Sequence, residues 1–242
     1  MFSGVSAVYD EINGEAYLPY AEYLVKECFS CASIPVREVL DLGCGTGGIC
    51  AILAKRGYDM VGIDISDGML NAAFSNNAGL NTLLLCQDMR GFELYGTVQA
   101  VYSSFDCINY LLSAEELQKV FSLVHNYLEP GGVFCFDVNT PFRYKNVFDG
   151  RSYCYETPCF FAATRAALSD DGDFCDFTID VFSDDGSGKW ERESERQTQR
   201  VFGGDEIEAC AKGFTLLKKT GGKGFDGCAP EEKDYYVFKR DD

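Results

Sequence analysis

Three carboxylates and a glycine cluster, set at fixed spacing early in the chain, are the residues best placed to do chemistry. Asp41 ends a short apolar run, and Gly43, Gly45 and Gly48 follow it. Asp64 ends a second apolar run 16 residues past Gly48, and Asp88 follows a third. The glycines satisfy Gly-x-Gly-x-x-Gly, a spacing that lets backbone approach a ligand closely, and Asp64 stands where a ribose-binding acid is expected. The pattern calls for an adenosine-containing ligand at the carboxyl ends of parallel strands.

The charges narrow that ligand. Asp41, two residues before the first glycine, can face an ammonium but would repel a pyrophosphate arriving at the next helix N-terminus. No basic residue lies in or just after the loop; Lys55 and Arg56 come only at the far end of its helix. Asp88 offers a further acceptor, suited to the exocyclic amine of adenine. A cationic, phosphate-free adenosine ligand fits this acid-rich rim better than a nicotinamide or flavin dinucleotide.

The elements that must position these residues alternate. Residues 5–32 carry apolar positions at three- and four-residue spacing and predict a helix. Strands are predicted at Glu38–Leu42, Met60–Asp64, Thr82–Gln87, Ala100–Ser104 and Val133–Val138, with helices at Gly48–Arg56, Gly68–Asn76 and Ala114–Leu128. Ser113 and Glu116 have the spacing of a capping box. Glu129-Pro130-Gly131-Gly132 reads as a turn. Short, continuously apolar strands separated by helices mean a parallel sheet covered on both faces. After Pro141 the helical period is lost. Turn clusters at Ser169–Asp173 and Ser183–Gly188 frame alternating strands, and Trp190–Phe202 continues as a charged one. A helix at Asp205–Lys212 and strands at Phe214–Lys218 and Tyr235–Lys239 close the pattern. The division expected is a core of residues 1–141 and 204–242, with an antiparallel lid inserted at 142–203.

Composition sets the outer limits. The chain has 242 residues and a formal net charge of −17, which repels phosphate backbones and anionic membranes and makes nucleic acid an unfavourable partner. Twelve cysteines are too dilute for a disulfide scaffold, and several lie in apolar runs as small core residues. Cys28 and Cys31 form a lone C-x-x-C on a predicted helix, read as ordinary helix positions, and no metal site is expected. No charged-then-apolar leader opens the chain and no apolar run reaches the length of a membrane span. The expectation is a cytoplasmic protein without a membrane partner.

Val39–Gly47 (Val-Leu-Asp-Leu-Gly-Cys-Gly-Thr-Gly) resembles the first motif of the class I S-adenosylmethionine-dependent methyltransferases. Asp64 with Ile65–Leu70, Cys86–Met89, Ser103–Tyr110 and Leu128–Gly132 leading into Phe136-Asp137 agree with it in order. The resemblance implies a Rossmann-like seven-stranded, mostly parallel sheet with the last strand reversed. It also implies S-adenosyl-L-methionine as cofactor. The Gly43, Cys44 and Gly45 backbone would lie against its methionine portion, with Asp41 orienting the amino group. Asp64 would take the ribose hydroxyls. Ile65 and Met69 would pack on the adenine, Asp88 and Met89 would read its edge, and Ser104 and Phe105 would line the methyl-donating end. Tyr9 matches a segment that folds over the cofactor. Gln99 departs from the Asp that usually opens the fourth strand, with little consequence expected for binding.

Asp106, Asn109 and Tyr110, together with Asn139, stand where the resemblance places acceptor-facing residues, and the first three are the candidate catalytic groups. His125, the chain's one histidine, is expected to pack rather than to catalyse. Arg192, Arg196 and Arg200 are read as a solvated lid face. The leading expectation is a methyltransferase for a small-molecule acceptor. The alternatives are a protein or RNA methyltransferase, a non-catalytic S-adenosylmethionine-binding protein, and a nucleotide-dependent oxidoreductase. The lid most resembles that of small-molecule N-methyltransferases. Oligomeric state is not readable.

Overall fold

The computed structural model describes residues 6, 8–184, 188–225 and 227–241. Strands β1 (Glu38–Leu42), β2 (Asp59–Asp64), β3 (Thr82–Cys86), β4 (Val98–Ser103) and β5 (Leu128–Asn139) form the parallel part of a sheet. With β10 (Phe214–Gly221) and β11 (Lys233–Arg240) the order is β10-β11-β5-β4-β1-β2-β3. β11 runs antiparallel to both its neighbours, so the reversed strand sits between β5 and β10. Every residue of β4 is buried, as expected for a central strand covered on both faces. The strand order reverses between β1 and β4. In such sheets the crevice at that switch point, beyond the carboxyl ends, receives ligand.

Helices cover the faces. On one side α1 (Tyr9–Tyr23) continues through tighter and wider turns to Cys31, setting Tyr20, Ala21, Leu24 and Cys28 on α2 (Gly48–Lys55) and the sheet. The expected start of that helix at residue 5 lies outside the described residues. The predicted helices α3 (Asp67–Asn76) and α4 (Ala114–Tyr127) differ from expectation by a residue at an end. Ser113 caps α4 by accepting from Glu116 N–H at 3.2 Å. The Glu116 carboxylate reaches back to Leu112 N–H at 2.7 Å, one residue beyond the capping-box partner. On the opposite side Phe121 of α4 meets Phe134, Phe136, Phe214 and Phe238 edge-on. His125 packs its ring against Phe214 there, beside α5 (Gly204–Cys210). The predicted turn at Glu129–Gly132 is absorbed into β5. The β4–β5 register shifts between Val98 and Ala100, and this irregularity accommodates Gly131 at φ 81°.

A second sheet follows β5. β6 (Ser152–Glu156), β7 (Phe160–Leu168), β8 (Phe174–Asp184) and β9 (Trp190–Arg200) pair antiparallel in sequential order. One face carries Ala162, Ala166, Cys175, Phe177 and Val181, which pack on Val8 and Met69 of the core and on Tyr144 and Phe148 of the helical turns that follow β5. On the other face Asp180 gathers Arg165 and Arg192 at 2.9 and 2.8 Å. The turn expected at Ser183–Gly188 falls partly outside the described residues. All twelve cysteines are free thiols. Among the described residues no helix is long and apolar enough to cross a membrane.

Candidate active site

The glycine loop is a backbone cradle held from three sides. Gly43 and Cys44 N–H both donate to Ile63 O, at 2.8 and 2.9 Å, which joins the end of β1 to the end of β2. Gly45 N–H donates to Asp64 Oδ2 at 2.8 Å. From α1, Asp10 accepts from the Thr46 hydroxyl and from Tyr17 OH at 2.7 Å. Asn76 and Asn77, at the end of α3, donate to Thr46 O and Gly47 O at 2.9 and 3.1 Å. Gly43 has φ +79°, and a Cβ there would lie 2.1 Å from Cys107 Sγ. Gly45 has φ +53°, and its Cβ would enter open space with only the Tyr9 ring at 4.0 Å. These two positions need glycine for different reasons, packing beneath the loop and room above it.

Asp64 ends β2 with each carboxylate oxygen holding one backbone N–H, Gly45 on Oδ2 and Ser66 on Oδ1 at 2.8 Å. Burial raises its pKa, and those two N–H groups pull it back. Each oxygen keeps a lone pair for a ligand hydroxyl. Asp41 is almost fully buried. Its Oδ2 accepts from Tyr102 OH at 2.6 Å and from the Cys50 thiol, while Oδ1 has no partner among the described residues. Burial pushes its pKa up to about 7 against those hydrogen bonds. A buried carboxylate oxygen without a donor, next to a cradle that a Cβ would fill, fits a ligand carrying an ammonium. Asp88 is committed differently: Arg90 grips both its oxygens, with Nη2 at 2.6 Å from Oδ2 and Nε at 3.0 Å from each. This pairing holds the Asp88 pKa down.

A cavity of about 860 Å³ opens over the loop and extends beneath the second sheet. Tyr9, Gly43, Gly45, Asp64, Ile65, Met69, Asp88, Met89, Ser104 and Phe105 border it, as do Asp106, Tyr110 and Asn139. Asp41 and Cys44 do not; both are buried under the loop region. Asn109 is also absent from the wall. Its amide is spent on structure, donating to Arg200 O at 2.8 Å and accepting from Asn139 N–H at 3.0 Å, which ties β9 to β5. Arg192 and Arg200 are held away by Asp180 and Glu206, whereas Arg196 borders the cavity.

The far half of the cavity contains residues that sequence reasoning missed. Phe105 and Asp106, at φ 55° and 52°, turn the chain off β4 in left-handed conformation, a costly one for residues with a Cβ. Asp106 N–H donates to Asp137 Oδ2 at 2.9 Å. Lys233, at the start of β11, places Nζ 2.7 Å from Asp137 Oδ2 and 3.1 Å from Asp106 Oδ1. Tyr20 of α1 donates to Asp137 Oδ1 at 2.5 Å. From β9, Gln199 Nε2 donates to Asp106 Oδ2 at 2.8 Å and Gln197 Oε1 accepts from Tyr110 OH at 2.6 Å. The one local signal was a single lysine in the acidic run Glu231-Glu232-Lys233-Asp234. Gln99, the departure noted above, serves the base of the sheet, accepting from Arg37 and Glu38 N–H at 3.1 and 2.8 Å.

Comparison with known proteins identifies relatives of this arrangement. The family described as "Methyltransferase domain" matches residues 39–132. The chain is 31% identical over 227 residues to YqeM of Bacillus subtilis (strain 168), a protein bearing a methyltransferase name, covering 91% of this chain and 89% of that one. Its fold matches an S-adenosylmethionine-dependent methyltransferase from Clostridium acetobutylicum ATCC 824 with a TM-score of 0.84 at 24% identity, over 98% of each chain. It also matches an S-adenosylmethionine-bound amino pentose methyltransferase from Micromonospora echinaspora, with a TM-score of 0.76 at 21% identity over 96% of each.

Proposed function

This chain belongs to the class I S-adenosylmethionine-dependent methyltransferases, and we propose that it methylates a small molecule bound between the strand ends and the inner face of the second sheet. When bound, S-adenosylmethionine supplies a methyl group already activated on a sulfonium. The chain's own work is then to bind, align and exclude water. In this reading Gly43 and Gly45 bring backbone against the amino-acid portion, Asp41 acts on its ammonium from beneath the loop without touching it, and Asp64 takes the ribose hydroxyls through its free lone pairs. Ile65 and Met69 flank the adenine. Asp88, gripped by Arg90, offers only its remaining lone pairs to the base edge.

The observation that carries the small-molecule reading is the roofed cavity. Its volume lies toward the upper end of the range for ligand pockets, with room for a donor and an acceptor together. Thr164, Phe177, Ile179, Gln197 and Gln199 of the second sheet cover the half beyond the glycine loop. A folded macromolecule would have to displace that roof, which β9 fastens to the core through Asn109, Tyr110 and Asp106. The net charge of −17 disfavours RNA further. The amino pentose acceptor of the Micromonospora neighbour is in keeping with this size class. The test is to incubate the protein and a cell extract with radiolabelled S-adenosylmethionine, then separate the mixture by ultrafiltration. Label is expected in a filtrate compound that chromatography separates from the donor and that forms only when the protein is added; protein-dependent label found only in retained protein or RNA would overturn the reading.

A further inference from the structure

We propose that the acceptor carries a carboxylate, and that Arg143 binds it at the end of the cavity away from the donor. The inference rests on the small-molecule reading for where the acceptor sits, and on the Arg143 guanidinium for the group it presents. Four cations border the cavity, Arg90, Arg143, Arg196 and Lys233. Arg90 is engaged by Asp88 and Glu116, and Lys233 by Asp137 and Asp106. Arg196 is exposed on β9, where water can meet it. Arg143 is the exception, a side chain only 18% exposed whose donors are mostly free.

The turn after β5 fixes that side chain. Thr140 accepts from Arg143 N–H at 3.3 Å and so caps the short helix Pro141–Arg143. Nη1 donates to Asn139 Oδ1 at 2.8 Å, and the guanidinium carbon lies over the Phe148 ring, 4.8 Å from its centre. Among the described residues the guanidinium makes no other hydrogen bond. Nε is buried without an acceptor, and Glu232 Oε2 stands 3.7 Å from it, an ion pair too long for a hydrogen bond. A mostly buried guanidinium with donors unmatched is costly until an anion meets them. Those donors lie in one plane, and a carboxylate fits such an edge with two parallel bonds. A phosphate monoester carries about two charges, more than one guanidinium balances.

Position sets this carboxylate apart from the donor's own. The glycine loop follows β1, Arg143 follows β5, and β4 lies between those strands. Two strand spacings, about 10 Å, therefore separate Arg143 from the backbone that takes the methionine portion. The acceptor fills that interval. Its anion lies on Arg143 and its body against Phe148, Phe177 and Ile179, which make this stretch of the wall apolar. Phe177 meets Phe148 edge-on at 5.2 Å, so the two rings brace one another beside the guanidinium. The substrate class is thus a small carboxylic acid with an apolar body, its nucleophilic atom turned back toward Ser104 and Phe105.

The experiment has two arms. In the first, benzoate is titrated by calorimetry into the S-adenosylhomocysteine complex of the parent and of Arg143→Gln. Benzoate is expected to bind the parent at least about tenfold more tightly, and inorganic phosphate to show no such difference. Equal benzoate affinity in the two proteins, no binding to the parent, or a parent that prefers phosphate overturns the carboxylate. The dissociation constant of S-adenosylhomocysteine should stay within about twofold of the parent in Arg143→Gln and Arg143→Lys. Its loss in both variants, together with a lowered melting temperature, would make the residue merely structural. In the second arm, the acceptor is identified from the labelled filtrate product by mass spectrometry. A carboxylic acid is expected; an acceptor without one overturns the proposal. The methyl ester of that acid should lose about 100-fold in kcat/KM with the parent, chiefly through KM, and little with Arg143→Gln. An ester used as well as the acid by the parent sinks the contact. Label found only in macromolecules removes the small-molecule reading alone, and the benzoate titration still decides the anion site.

Discussion

The donor and acceptor halves of the cavity share a floor but are assembled in opposite ways. The donor half is local. Gly45 meets Asp64 across 19 residues and Thr46 meets Asp10 across 36, and much of its recognition is backbone. The acceptor half is drawn from the whole chain: Asp106 meets Gln199 across 93 residues, Lys233 meets Asp137 across 96, and Tyr20 meets Asp137 across 117. A backbone cradle tolerates change in most neighbours but none at its glycines. A side-chain cluster admits change one residue at a time. The donor half should therefore fail abruptly and the acceptor half by degrees.

The sharpest break is expected at Gly43. Gly43→Ala forces Cβ onto Cys107 Sγ in a left-handed backbone and should cost at least about 3 kcal/mol of stability, read by denaturant unfolding. Adding Cys107→Ala should recover the steric part and leave the conformational part. Full recovery would show that the backbone at Gly43 carries no strain. Next is Asp41, which binds its proton more tightly folded than unfolded because burial raises its pKa to about 7. Its contribution is intact below the unfolded value near 4 and is lost as pH climbs through about 7. The ligand-free protein should lose about 2.5 kcal/mol between pH 5 and 8, and Asp41→Asn should flatten that slope. An equal slope in the variant would assign the pH dependence elsewhere.

If Asp64 holds the ribose as proposed, Asp64→Ala should weaken S-adenosylhomocysteine binding by about 2 kcal/mol in calorimetry, with the fold intact. An unchanged constant would take Asp64 out of the site. The smallest effect belongs to the acceptor half. Gln199→Ala deletes one neutral donor to Asp106 and should reduce kcat by about 1 kcal/mol, near fivefold, with cofactor affinity untouched. If Gln199→Ala instead weakened the cofactor as much as Asp64→Ala does, the two halves would not be separable.

The same contrast explains what could be read from the sequence. The parallel core was legible because each strand is a short apolar run that stops at the cavity, so Gly43 just after β1, Asp64 at the end of β2 and Ser104 just after β4 all border it. The glycine loop and Asp64 were legible for the same reason. Asn109 was read as a catalytic candidate because the resemblance sets it with Asp106 and Tyr110 among acceptor-facing residues. Its amide lies instead against Arg200 and Asn139, a direction set by a strand 91 residues away. Lys233 and Gln199 carry no local pattern, since their roles exist only once β11 and β9 have docked. The Glu129–Gly132 turn was misread because a shift of β4–β5 register lets Pro and Gly ride within a strand.

Lys233 stands opposite Asn139 in the β11–β5 pairing, with Asp234 opposite Val138. Its neighbours along the chain are Glu232 and Asp234, both acids. A slip of β11 by one residue in either direction would carry a third carboxylate into the pocket of Asp106 and Asp137, with no ammonium to meet it. Burying such a group is far more costly than exposing a misplaced apolar side chain. The ion pair is thus a pin for strand alignment: one lysine between two acids allows the reversed strand a single way to sit, whatever the site binds.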